Sequence, residues 1–94
     1  MKGKPATQAQ QLTDIPNVGP AIARALHGIG VETPQDLIGQ DAFALYTTLC
    51  RKTEKRYDPC VLDTFMAAID FMNGAAAKPW WAYTNERKEL YPDL

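Results

Sequence analysis

Ninety-four residues, 46% of them apolar, with ten lysines and arginines against eleven acids for a net charge of −1, describe one small globular domain. These numbers exclude a disordered tail protein, and no apolar run approaches the roughly 20 residues that span a bilayer. The basic residues of 1–5 lead into a polar stretch rather than an apolar signal region, so a cytoplasmic location is expected.

In chain order, residues 1–7 read as a flexible leader carrying Lys2 and Lys4. A short helix is predicted over 8–13, ending where Pro16 disfavours helical backbone at Ile15. Pro20 suits the first turn of a second helix that runs to about His27, with Ile22, Ala25 and Leu26 as its apolar stripe. Gly28 ends that helix, Ile29 packs just beyond it, and His27 sits where a partial positive charge is favourable. Thr33-Pro34-Gln35-Asp36 opens a third, brief helix closed by Gly39. Asp41 caps a fourth, with Ala42, Leu45, Tyr46, Leu49 and Cys50 at helical spacing. A basic loop over 51–57 follows, and Asp58-Pro59 opens the strongest helix, whose core face is Leu62, Phe65, Met66, Ile69 and Met72 and which Asn73-Gly74 terminates. No segment alternates as a strand. The prediction is all-α, five short helices over 8–74 followed by a C-terminal tail, 75–94, packed on the core.

Charge is unevenly spread. Glu32, Asp36 and Asp41 give residues 32–50 a net −3, whereas Arg51, Lys52, Lys55 and Arg56 against Glu54 and Asp58 give residues 51–58 a net +2. The overall balance counts against a dedicated nucleic-acid binder, most of which are clearly basic.

Ile15-Pro16-Asn17-Val18-Gly19-Pro20 is the segment whose chemistry suits phosphate. A tight turn entering a helix offers free N–H groups and the positive end of a helix dipole. Close approach requires small residues or ones that accept positive φ; Gly19 is expected to supply that, and Asn17 is the best non-glycine substitute. Ile15 and Val18 are apolar pegs between the flanking helices.

The stretch from Leu12 to Ala23, with its Ile-Pro-Asn-Val-Gly core, resembles the helix-hairpin-helix signature of DNA repair and replication proteins. The continuation Gly28-Ile29-Gly30-Val31-Glu32-Thr33-Pro34-Gln35-Asp36-Leu37 extends the likeness. Together with Asp41, Leu45-Tyr46, Leu49-Cys50, residues 58–63 and Trp80-Trp81, the pattern is similar to the pathogenicity-locus family of short bacterial proteins, some of which carry a mitomycin-resistance label. The C-terminal domain of the competence regulator TfoX is a more distant likeness. The resemblance implies a helix-hairpin-helix, SAM-like compact bundle with an aromatic C-terminal strap, and sequence-nonspecific contact with a nucleic-acid backbone, DNA first. Carried over by position, the contact residues are Asn17, Val18, Gly19, Ala21, Ile22 and Arg24, with the amides of Asn17, Gly19, Ala21 and Ile22 facing phosphates. The resemblance also implies a monovalent cation at the carbonyls of Thr13, Ile15 and Val18. One departure is Asn17, where the pattern has its first glycine. Arg51, Lys52, Lys55 and Arg56 sit where a second, degenerate hairpin would fall, although the Asp58 carboxylate already occupies the anion site of the following helix.

Each of these features has a plainer reading. The hairpin serves equally as a packing device in a protein-interaction adaptor whose acidic 32–50 face and aromatic tail meet a partner. Trp80, Trp81 and Tyr83 are either a base-stacking platform or a strap across an undersized core. Cys50 and Cys60 read as packing groups rather than a disulfide or a zinc site, since one distant histidine cannot complete four ligands. No Gly-Lys-Thr/Ser phosphate loop and no serine for a triad are present, and a Cys–His pair using His27 would place Cys50 on an apolar face. No cofactor and no catalysis are expected.

Overall fold

The helix starts are written by side chains next to prolines and by two carboxylates. α1 (Pro20–Gly28) and α3 (Pro59–Met72) each begin at a proline, where the absent N–H is harmless. Asp41 accepts the Ala44 amide at 3.2 Å to open α2 (Ala42–Thr53), and Asp58 accepts the Cys60 amide at 2.9 Å to open α3. A last helix, α4 (Thr84–Leu90), follows a 3-10 turn at Trp80–Tyr83. The computed structural model describes residues 6–94, so Lys2 and Lys4 lie outside the described residues. Among those described there is no strand, and no helix is long and apolar enough to cross a membrane.

The first three α-helices end alike. The amide of Val31 reaches the Leu26 carbonyl at 3.0 Å, that of Lys55 reaches Cys50 at 3.0 Å, and that of Ala75 reaches Asp70 at 2.9 Å. Each is a Schellman closure, which needs a left-handed residue one place earlier. Gly30 (φ 96°) and Gly74 (φ 107°) meet that need cheaply, whereas α2 uses Glu54 (φ 54°).

The structure corrects the helix count. Among the described residues there are four α-helices and four 3-10 turns, and the segments expected as helices at 8–13 and from Pro34 are turns at Ala6–Gln8, Leu12–Asp14 and Pro34–Leu37. Each is too short to repay helix nucleation. In addition, Asp14 accepts the amides of Gln10 (2.9 Å) and Gln11 (3.2 Å), and Asp36 those of Glu32 (3.0 Å) and Thr33 (3.1 Å), which folds the chain back at once. Residues 6–8 form a turn against α3 and Ala9 is buried, while the rest of the expected leader lies outside the described residues. The basic loop starts later than expected: Arg51 and Lys52 belong to the last turn of α2.

α3 is the central element. Residues 62–69 are all buried, as are Phe71 and Met72, so the expected apolar stripe is only part of what it hides. Leu62 and Phe65, each at most 1% exposed, contribute about 1.5–3 kcal/mol apiece by leaving water. The 3-10 turn at Trp80–Tyr83 and α4 also pack against α3. Phe43 of α2 stacks on Tyr91 just past α4, with ring centres 4.2 Å apart and planes 8° apart.

Candidate functional site

Ile15 and Val18 are 1% and 5% exposed, so they anchor the turn between its flanking segments. The Val18 amide donates to the Ile15 carbonyl at 3.1 Å, closing a four-residue turn. With Pro16 in its second place and Asn17 at φ 73° in its third, this has the pattern of a type II turn. The left-handed residue is therefore Asn17, not Gly19 as the sequence suggests. Gly19 is extended (φ −90°, ψ −176°), and a Cβ built on it meets nothing within 4 Å. Asn17 takes the left-handed backbone to which asparagine is suited, and Gly19 does not, because a proline-led turn puts its strained residue immediately after the proline.

The Asn17 side chain is turned aside from the tip. Its Nδ2 donates to the Lys78 carbonyl at 2.7 Å, fastening the linker before Trp80 to the turn. Gly19 caps α1 without any side-chain acceptor, and its carbonyl takes the first helical bond, from Ala23 at 2.9 Å. Among the described residues, the amides of Asn17, Gly19, Ala21 and Ile22 have no hydrogen-bond acceptor. Asn17, Gly19 and Ala21 are exposed, and Ile22 is half-buried. Val18 differs from the other expected contact residues, since its side chain is buried and its amide is spent within the turn.

Three hollows divide the expected site residues. The turn itself lines one of about 490 Å³, shared by Thr13, Ile15, Val18 and Gly19 with Asp14 and with Ala77 of the linker. Ala21, Ile22, Arg24 and Lys52 come together around a second, of about 700 Å³, between α1 and α2. Arg51, Lys55 and Arg56 surround a third, of about 480 Å³, beside Tyr46, Cys50 and Leu94. The four cations of 51–56 are thus split, because Arg51 and Lys52 are neighbours on a helix and diverge by its turn angle. Lys55 is also engaged locally, with its Nζ 5.1 Å from the Tyr57 ring centre.

The aromatic tail separates likewise. Tyr83 is 4% exposed and Trp80 half-buried, which makes them the strap; Trp81 is 64% exposed and stands edge-on to Trp80, so it does not join the core. Burial, helped by the neighbouring Asp70 carboxylate, pushes the Tyr83 hydroxyl up to about 12.

One constellation escapes sequence reasoning altogether. Asp63, fully buried on α3, accepts from Arg87 Nε at 2.8 Å and from the Thr84 hydroxyl at 2.8 Å. Arg87 is 7% exposed, and its hydrogen bond to Asp63 pushes its guanidinium further up. The signal was an acid inside an apolar run, with its only buried cation 24 residues away. Both thiols are free and half-buried, and burial raises that of Cys60. No cluster of metal-ligating side chains occurs among the described residues.

The chain matches the family model described as Pathogenicity locus (Cdd1) over residues 5–89. It is 40% identical, over 85 residues, to a protein of Streptomyces lavendulae named mitomycin resistance protein McrB, a match covering 90% of this chain and 81% of that one. No solved structure matches it.

Proposed function

The chain belongs to the pathogenicity locus family, and from the geometry of its first turn we propose that it is a sequence-nonspecific accessory module that holds the backbone of DNA. In this reading residues 12–28 are a helix-hairpin-helix and the domain is a SAM-like bundle. The observation that carries it is the row of unsatisfied amides at Asn17, Gly19, Ala21 and Ile22, three of them on exposed residues, at a helix start with no capping side chain. Such a start is complementary to a phosphate oxygen, through both its donors and its dipole.

Arg24 and Lys52, which share a hollow with Ala21 and Ile22, supply positive charge beside this start. Arg51, Lys55 and Arg56 face another hollow and meet only a ligand long enough to pass round the end of α2. A monovalent cation at the carbonyls of Thr13, Ile15 and Val18, which line the turn's own hollow, would bridge the turn to a phosphate. The role is binding without catalysis. A part in mitomycin resistance, the property for which the relative is named, is included in the proposal as an effect exerted through DNA.

Titration of duplex and branched DNA against salt tests the proposal. Two to four cationic phosphate contacts give a log–log slope of roughly −2 to −4. Absence of binding at about 20 mM salt removes the reading and leaves the protein-interaction adaptor, which the exposed Trp81 and the acidic hollow of Asp41, Asp70 and Glu86 favour.

A further inference from the structure

The cleft between α1 and α2 has an interior that phosphate cannot use. It holds about 700 Å³, within the range of small-molecule pockets. Ile22, Ala25 and Gly28 form one wall, Leu49 the facing one, and Tyr57 and Val61 one end. Deeper in, the Thr53 hydroxyl donates to the Leu49 carbonyl at 2.8 Å and the Tyr57 carbonyl accepts the Tyr46 hydroxyl, while the free amides of Ala21 and Ile22 belong to residues on the α1 side of the cleft. The side chains of Ile22, Ala25, Leu49 and Val61 offer no hydrogen-bond partner, so a phosphodiester or peptide group placed among them would lose water without compensation.

Charge enters this cleft only through Arg24 and Lys52. Neither forms an ion pair among the described residues, and no aspartate or glutamate lines the hollow. An apolar hollow bordered by two unpaired cations is complementary to a molecule that is apolar over most of its surface and anionic at one end.

We infer that the cleft binds a small organic anion with a compact apolar ring body and a single acidic group. The ring body lies between α1 and α2, and the acid meets Arg24 and Lys52. This site shares Arg24 and Lys52 with the proposed DNA contact but does not use the amides of Asn17 or Gly19, so a change at Gly19 distinguishes the two.

The test uses the full chain and 8-anilinonaphthalene-1-sulfonate, followed by fluorescence and calorimetry, with uncharged N-phenylnaphthylamine as comparison. Saturable one-to-one binding is expected, with the sulfonate preferred. Gly28→Leu and Ala25→Leu add bulk to the cleft, and a Cβ at Gly28 meets nothing within 4 Å, so that variant retains the fold. Both are expected to weaken each probe about tenfold or more with unchanged far-ultraviolet circular dichroism. The double change Arg24→Gln, Lys52→Gln is expected to weaken the sulfonate about tenfold and leave the uncharged probe unaffected. Non-saturating binding, equal affinity for the two probes, or undiminished binding in both bulky variants that keep their helicity overturns the inference. Weakened DNA binding in Gly19→Asp with the sulfonate still bound would show the two sites to be separate.

Discussion

Two helices of this chain start at a proline and treat their first amides in opposite ways. At α3 the residue before the proline is Asp58, whose carboxylate takes the Cys60 amide and is thereby held below the usual carboxylate range. At α1 the corresponding residue is Gly19, which brings no acceptor, and the amides of Ala21 and Ile22 stay unmet. The same proline device therefore yields one start that is electrostatically closed and one that is open. The closed start leads into the buried centre of the molecule, and the open one lies at the surface. A single preceding side chain decides whether a helix start is finished from within or left for a ligand.

The largest expected effect comes from breaking the closed region. Asp63→Ala leaves Arg87 buried without its partner and should cost about 3–5 kcal/mol in urea unfolding. Replacing the pair together, Asp63→Leu with Arg87→Met, should restore most of that, because the two desolvation costs vanish with the two charges. Recovery in the double variant would identify the pair as a means of aligning α4 rather than a net source of stability.

The same region should fail in alkali. The Tyr83 hydroxyl is raised from its ordinary value near 10 to about 12, so the folded protein holds its proton more tightly than the unfolded chain does. Its contribution is complete below pH 10 and is lost as pH rises toward 12, with a slope approaching about 1.4 kcal/mol per pH unit. Tyr83→Phe should flatten that part of the stability curve, and an unchanged slope would assign alkaline loss to another group.

A sharper test writes the closed start into the open one. Gly19→Asp is compatible with the backbone there, which is extended and has room for a Cβ. Its carboxylate should engage the α1 amides and lower DNA affinity about tenfold without loss of stability. Undiminished affinity would remove the α1 start from the mechanism. The smallest effect concerns the end of α2. Glu54→Gly relieves a left-handed residue that carries a side chain and should stabilise by about 0.5–1 kcal/mol in thermal unfolding.

These comparisons also show where the amino-acid pattern speaks clearly. Helix starts at Pro20, Asp41 and Asp58-Pro59 were legible because capping depends on residues within three places of each other. The turns at Leu12–Asp14 and Pro34–Leu37 were misread as helices because Asp14 and Asp36 bind backward, a local competition that periodicity does not register. At the candidate site, the pegs Ile15 and Val18 and the row of free amides follow the expected pattern. The positive φ went to Asn17 because turn type, set by Pro16, outweighs the general preference for glycine. The Asp63–Arg87 pair depends on a contact between distant segments, which local spacing does not encode.

The hydrogen bond from Asn17 to Lys78 joins segments 61 residues apart. During synthesis the first turn leaves the ribosome long before the residue that fastens it, so the nascent chain carries that bend unlatched until Lys78 emerges. A chain interrupted before Lys78 would keep the local sequence of the turn yet lack the tie that holds the Asn17 side chain clear of the tip. Emergence of the Lys78 segment thus acts as a late step in shaping a surface that was begun at the first turn.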